Sequence, residues 1–185
     1  AYRELPLAVA RPRHENDLRE LVRFAARNKI TLIPRAAGTS LAGQVVGRGV
    51  VVDISRYMTG ILEFNAEERW VRVQPGVIPD ELNRFLKPHG LFFSPETSTS
   101  NRCMIGGMIG NNSSGLHSLV YGTTREHVLS LRMILSNGEV VTFSSMNEEA
   151  FHAKCRGEGL EGTIYRTIRD SLGDEEVRTK IRDEF

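Results

Sequence analysis

The sequence predicts an α+β fold, and two local patterns support this prediction. Apolar residues repeat with helical spacing over residues 16–28, and two short apolar runs of strand length follow at residues 30–33 and 50–54. Further along, residues 127–143 show the alternation of a strand, a turn at an Asn-Gly pair and a second strand. The sequence contains no internal repeat or low-complexity linker, and we expect two small lobes that join near residue 94.

The two apolar runs flank a loop that is built almost entirely of backbone. This segment, "PRAAGTSLAGQ", comprises residues 34–44 and is called the first loop here. Glycine costs conformational entropy on folding, and one reason to accept that cost is that consecutive bare N–H groups can point at an anion such as phosphate. Arg35 adds a positive charge, and Ser40 and Gln44 add side-chain donors. The alternative is a tight, mobile turn in a β-loop-β unit that packs against the helix.

Later elements complete the predicted fold. Alternating residues predict a strand over residues 68–76, and Pro79 begins a short helix that Gly90 ends. The hairpin is expected to reverse at Asn137-Gly138 in a type I′ turn. After residue 147 the pattern is helical and charged.

A second segment combines polar and apolar residues in an unusual way. Residues 94–115, "SPETSTSNRCMIGGMIGNNSSG", hold hydroxyls, amides and glycines around the apolar insert "CMIGGMIG", and we call them the second window. A surface loop does not need the apolar insert, and a core does not need so many hydroxyls. A long organic ligand with a polar chain and a flat apolar end needs both. Together the first loop and the second window predict a phosphate cradle and a second wall.

Composition excludes several classes of protein. With 185 residues, 40% apolar and 25% charged, the chain is an ordinary soluble globular protein, and a net charge of +1 gives no reason to expect nucleic acid as a partner. No apolar stretch approaches the roughly 20 residues of a transmembrane helix. The five histidines and two cysteines lack metal-ligand spacing, so we expect no metal in this chain and reduced thiols in a cytoplasmic protein.

Other motifs carry less information. "GEGLEG", residues 157–162, matches a dinucleotide fingerprint by letter, but it follows no strand and its two glutamates would repel a pyrophosphate. The chain has no phosphate-binding loop of the G-x-x-x-x-G-K-[ST] type. Ser113 and Ser114 lack the G-x-S-x-G context of a hydrolase. Cys103 is expected to be a small buried apolar residue.

Four motifs, in order, carry a resemblance to a known family: "PRAAGTSLAGQ", "QPG", the second window, and "YGTTREHVLSLRMILSNGEV". They resemble the FAD-binding domain of the vanillyl-alcohol oxidase/para-cresol methylhydroxylase superfamily, within its glycolate oxidase/D-lactate dehydrogenase branch of FAD-linked oxidases. The resemblance covers residues 5 to about 145. It implies two FAD-binding subdomains, residues 1–93 and 94–146, with the flavin between them. Residues 147–185 would then be a charged helical insertion or the start of a further region.

The resemblance also implies which residues contact FAD. Arg35 to Leu41 would hold the pyrophosphate, and residues 95–101 would run along the flavin and its ribityl chain, with the later residues of the second window completing the wall. The full predicted set is Arg35, Ala36, Ala37, Gly38, Thr39, Ser40, Leu41, Gln44, Pro95, Glu96, Thr97, Ser98, Thr99, Asn101, Gly107, Gly110, Asn111, Asn112, Ser113 and Ser114. Thr39 stands where some relatives carry a histidine that is covalently bonded to the flavin. The resemblance therefore implies noncovalent FAD.

The resemblance implies a flavin-dependent oxidoreductase that oxidises a 2-hydroxy acid such as D-lactate or glycolate, with the hydride passing to flavin N5. Its partners would be a small-molecule substrate and a separate electron acceptor. We expect the substrate lobe, the catalytic residues and any iron–sulfur cluster beyond residue 185, so that this chain alone is inactive. The full-length protein would be cytoplasmic. The alternative is that it attaches peripherally to the inner membrane. One alternative is a flavin- or nucleotide-binding module without turnover. Another is a sugar-nucleotide reductase of the same superfamily, although the second window resembles the hydroxy-acid branch more than the reductase branch.

Overall fold

A three-stranded parallel sheet opens the fold. The computed structural model describes residues 3–184 of the chain. Strands β1 (Ala8–Ala10), β2 (Leu32–Arg35) and β3 (Val50–Asp53) pair in the order β1-β3-β2, and helix α1 (Glu15–Asn28) connects β1 to β2. The central strand β3 begins with three buried valines, as expected where both neighbours are parallel strands. The predicted helix and β-loop-β unit are confirmed, and β1 is an addition to it.

The next elements form a hairpin and a helix that share a core. Strands β4 (Ile61–Asn65) and β5 (Trp70–Val73) are antiparallel, and helix α2 (Pro79–Leu86) follows with proline at its start. The predicted strand over residues 68–76 is therefore shorter than expected, and the helix is confirmed. Its buried leucines pack in one cluster of six residues: Val77, Leu82, Leu86, Cys103, Ile105 and Met108.

The apolar insert of the second window forms a helix, which was not predicted from the sequence. Helix α3 (Ile105–Asn111) buries Ile105 and Met108 in the core cluster. A Cβ atom on Gly106 would lie 2.6 Å from the Cβ of Pro75, so this helix packs against the "QPG" turn at a position where only glycine fits. Helix α4 (Ser118–Tyr121) and a 3₁₀ turn over residues 124–127 follow.

The remaining residues form a hairpin followed by helices. Strands β6 (Ser130–Ile134) and β7 (Val140–Ser144) confirm the predicted hairpin, and helices α5 (Glu148–Arg156), α6 (Gly159–Gly173) and α7 (Glu175–Glu184) confirm the helical pattern. The type I′ turn is wrong, because such a turn needs positive φ at both central residues and only Gly138 has it (φ 83). The Gly138 amide instead donates to Leu135 O at 2.8 Å, as in a type I turn followed by a glycine bulge.

Internal contacts divide the chain into two compact units, residues 1–128 and 129–185. The predicted join near residue 94 falls inside the first unit, and the division into FAD-binding subdomains stays a prediction. Between residues 3 and 184, no helix has both the length and the apolar character needed to cross a membrane.

Candidate functional site

A cavity of about 700 Å³ lies where the three parallel strands end. Its wall includes Arg11 just after β1, Arg35 at the end of β2, and Asp53 at the end of β3. The carboxyl edge of parallel strands is where α/β sheets generally bind ligands. The first loop contributes Arg35, Ala36, Ala37 and Thr39, and the second window contributes Arg102 and Met104. Segments far apart in the sequence thus meet around one cavity.

The charges around the cavity favour an anion. Arg11 Nε lies 3.5 Å from Asp53 Oδ2, whereas Arg35 and Arg102 have no carboxylate partner among the residues that the structure describes. Glu4 lines the cavity as well, which leaves three guanidinium groups against two carboxylates. The cavity wall is therefore net positive.

Asp53 is held as a carboxylate. Burial opposes its ionisation, but hydrogen bonds from the side chain and backbone of Ser55, at 2.6 and 3.0 Å, and the neighbouring Arg11 keep the pKa of Asp53 below its ordinary value. Because Asp53 engages Arg11, the two charges largely offset each other. Arg35 and Arg102 remain as the cations for a bound anion.

Within the first loop, the backbone at Gly38 lies beside the Arg35 guanidinium. Gly38 has φ 70, a conformation that L residues rarely adopt, and a Cβ atom there would lie 3.0 Å from Arg35 Nη2. Ala36, Ala37 and Thr39 line the cavity. The rest of the loop does not line it: the Ser40 hydroxyl donates to Gln44 Oε1, and the side chain of Leu41 is 96% exposed.

Helix α3 presents a face without side chains beside the first loop. A Cβ on Gly107 would lie 3.3 Å from the Cβ of Ala36, which brings the first loop and the second window into contact. Gly110 and Asn111 follow at helical spacing and are exposed, and a Cβ on Gly110 would meet no atom within 4 Å. The opposite face, with Met108, is buried in the core cluster. A ligand can therefore lie directly against this helix backbone.

The first residues of the second window pack against the residues at and just after its end. Glu96 forms an ion pair with His117, and a Cβ on Gly115 would lie 2.1 Å from the Glu96 carbonyl oxygen. Pro95 is buried, Thr97 Oγ1 lies 3.2 Å from Cys103 Sγ, and Ser98 and Asn101 are exposed. These contacts fix the shape of the segment.

Residues 6–144 match the family named FAD binding domain. The chain belongs to this family. It is 50% identical over 149 residues to D-2-hydroxyglutarate dehydrogenase of Haemophilus influenzae, which covers 79% of this chain and 14% of that protein. It is 35% identical over 141 residues to glycolate oxidase subunit GlcD of Bacillus subtilis, covering 76% of this chain and 30% of that protein.

A solved structure supports the fold of this FAD-binding domain. The 6-hydroxy-D-nicotine oxidase from Arthrobacter nicotinovorans superposes with a TM-score of 0.67 at 23% identity, covering 77% of this chain and 31% of that one. The chain spans less than a third of the length of each of these relatives. The predicted family and the α+β fold are confirmed, and FAD is the cofactor of the family.

The residues around the cavity suit FAD. Its pyrophosphate needs cations, which Arg35 and Arg102 offer, and a side chain at Gly38 would crowd the Arg35 guanidinium. Its flat ring system needs close, uncharged surface, which the glycine face of α3 offers. Among residues 3–184, no group of three or more His, Cys, Asp and Glu side chains is arranged to hold a metal ion.

Sequence reasoning missed most of the residues that line the cavity in this FAD-binding domain, among them Arg11, Asp53 and Arg102. Arg11 follows β1 and Asp53 is the last residue of β3, and the parallel pairing of these two strands was not predicted. Recognition of that pairing would have identified them, because polar residues at the carboxyl ends of neighbouring parallel strands converge. Arg102 lies inside the second window, between Asn101 and Cys103, and nothing in the local sequence marks it as a cavity residue.

Proposed function

We propose that this domain holds the FAD of a flavin-dependent dehydrogenase that oxidises D-2-hydroxyglutarate. The observation that carries the proposal is the 50% identity over 149 residues to a protein of that name. Identity falls to 35% for the glycolate oxidase subunit of Bacillus subtilis and to 36% for the D-lactate dehydrogenase of Kluyveromyces lactis. A 2-hydroxy acid is common to all three names, and the dicarboxylic acid replaces D-lactate and glycolate as our expected substrate.

We propose that the first loop and Arg102 bind the pyrophosphate of FAD. Arg35 is free of carboxylate partners in the described chain, and the Gly38 turn exposes backbone beside it. A charge-assisted hydrogen bond is stronger than a neutral one, so each guanidinium can contribute about 1.5–3 kcal/mol to binding. The proposed contacts are residues 35–41, 44, 95–99, 101, 107 and 110–114, with Arg102 added.

Helix α3 and the residues after it would orient the flavin ring. Bound FAD supplies a ring that accepts a hydride at N5, and the protein's task is to place that ring and exclude water. The bare face at Gly107 and Gly110 allows the ring or its ribityl chain to approach the backbone closely. We propose that the groups that take the hydroxyl proton, and the electron acceptor, belong to or meet other parts of the full-length protein.

We also propose a cytoplasmic location. Cys103 and Cys155 are both free and buried, as in a protein that keeps its thiols reduced.

Reduction of the bound flavin tests the proposed activity. Full-length protein is mixed anaerobically with D-2-hydroxyglutarate, and we expect the visible flavin absorbance to bleach. L-2-hydroxyglutarate is the matched control, since it offers the same groups with the opposite hand at the reacting carbon, and we expect no bleaching with it. Flavin that stays oxidised with every 2-hydroxy acid would instead support a module without turnover.

Acid treatment tests the mode of FAD attachment. Thr39 carries a hydroxyl that does not form the covalent flavin link made by histidine, so we expect precipitation of the protein with acid to release all FAD into the supernatant. The measurement is flavin absorbance in the supernatant and in the redissolved pellet. Yellow colour that remains with the pellet contradicts noncovalent binding.

A further inference from the structure

We propose that Thr124 is a positioning residue that holds the flavin-facing segment 111–114 in its binding shape. The inference rests on the proposed function, in which this segment forms part of the flavin wall. Thr124 lies in the 3₁₀ turn over residues 124–127. It is 0% exposed, and it is the single buried polar residue among those that the structure describes.

The Thr124 hydroxyl and amide bind one acceptor. Oγ1 donates to the Ser113 carbonyl at 2.6 Å, and the backbone N–H donates to the same oxygen at 3.1 Å. Beside them, the Arg125 N–H donates to Asn112 Oδ1 at 2.9 Å. Three hydrogen bonds from two consecutive residues thus reach two consecutive residues at the end of α3.

These bonds are needed because the segment has left the helix. Asn112 has φ 46, in the left-handed region, and Ser113 keeps only one backbone bond to α3, from its N–H to Met108 O at 2.9 Å. A chain that leaves a helix through a left-handed residue can take several directions. The hydrogen bonds from Thr124 to the Ser113 carbonyl fix one of these directions. In this conformation Asn111 Nδ2 donates to Ser113 Oγ at 3.2 Å.

The turn that carries Thr124 is itself braced. The Thr123 N–H donates to the Glu126 carboxylate, and this hydrogen bond holds the pKa of Glu126 below its ordinary value, although desolvation acts in the opposite direction. The Glu126 N–H donates to Thr123 O at 3.2 Å. The braced turn holds residues 112 and 113, and Asn112 and Ser114 remain exposed beside these contacts.

Two adjacent threonines give a matched pair of variants. Thr124→Val keeps the shape and the N–H bond but removes the hydroxyl that binds Ser113 O. Thr123→Val makes the same chemical change one residue earlier, where the hydroxyl faces Glu126 rather than Ser113. Thr124→Ser restores the hydroxyl. The readouts are the FAD dissociation constant of the full-length protein, measured by flavin fluorescence, and amide exchange of residues 111–114 in the apoprotein.

For Thr124→Val we expect FAD affinity to fall about tenfold, with faster exchange at residues 111–114 and a normal exchange pattern in β1–β3. Thr123→Val and Thr124→Ser should bind FAD as the unchanged protein does. If Thr124→Val does not fold, Thr124→Ala is measured in the same way. A lower melting temperature with unchanged FAD affinity would mean a purely structural role and overturn the proposal, and so would equal losses in both valine variants.

Gly110→Leu separates this proposal from the proposed function. If Gly110→Leu blocks FAD and Thr124→Val leaves the affinity unchanged, only the positioning role is wrong. If Gly110→Leu leaves FAD affinity unchanged, the α3 face is not the flavin wall, and both the proposed wall and the positioning role of Thr124 are overturned.

Discussion

We expect Gly38→Asp to abolish FAD binding while the domain stays folded. The Cβ of the new residue would lie 3.0 Å from Arg35 Nη2, so its carboxylate would pair with the guanidinium that we assign to the pyrophosphate. The variant removes a cation from the site and adds an anion to it. Loss of a charge-assisted hydrogen bond together with the new repulsion should cost about 4 kcal/mol, roughly a thousandfold in affinity.

Gly38→Ala is the control for this variant. It introduces the same strain at φ 70 without the charge, and left-handed backbone costs a non-glycine residue about 1–2 kcal/mol. Isothermal titration with FAD measures both variants, and circular dichroism checks the fold. Equal losses of affinity in the two variants would show that backbone conformation matters there and that the Arg35 pairing does not. Unchanged affinity in Gly38→Asp would remove the pyrophosphate from the first loop.

Gly110→Leu should block FAD binding and at the same time stabilise the apoprotein. A Cβ at Gly110 meets no protein atom within 4 Å, so leucine fits the folded domain without a clash. Replacing a glycine inside a helix by leucine stabilises it by roughly 0.5–1 kcal/mol. The same side chain would stand on the bare face of α3, where we propose that the flavin lies, and would exclude it sterically.

Gly173→Leu provides the matched control, because a Cβ at Gly173 also meets nothing within 4 Å and the residue ends α6 in the other unit. We expect this variant to bind FAD normally. Thermal unfolding measures stability, and the flavin absorbance of the purified protein measures cofactor content. A variant Gly110→Leu that purifies yellow, with the same flavin content as the control, contradicts the proposed wall.

Local patterns predicted much of the fold. Helix α1, helix α2 and the β6–β7 hairpin follow from apolar spacing and from the position of proline and glycine, and all three are present. Glycine content also marked the first loop and the second window as a place of close approach. Such signals are visible because they depend on neighbours in the sequence.

What the sequence did not reveal depends on distant partners. Strand β1 has three residues and is stabilised by pairing with β3, which lies about forty residues away, so no local pattern marks it. Helix α3 contains three glycines, which disfavour helices, and the core cluster overrides that preference through Ile105 and Met108. Thr124 looks like an ordinary turn residue until its hydroxyl is seen to meet Ser113.

The strand order β1-β3-β2 has a consequence for how the protein is made. The central strand is the last of the three to leave the ribosome, so β1 and β2 emerge with no neighbour to pair with. The first loop then has one free end, and the carboxyl edge of the sheet does not exist, until Val50–Asp53 has been synthesised. A nascent chain that stalls before Val50 would expose unpaired strand edges, which favour aggregation. Capture of FAD during translation must therefore wait for the central strand.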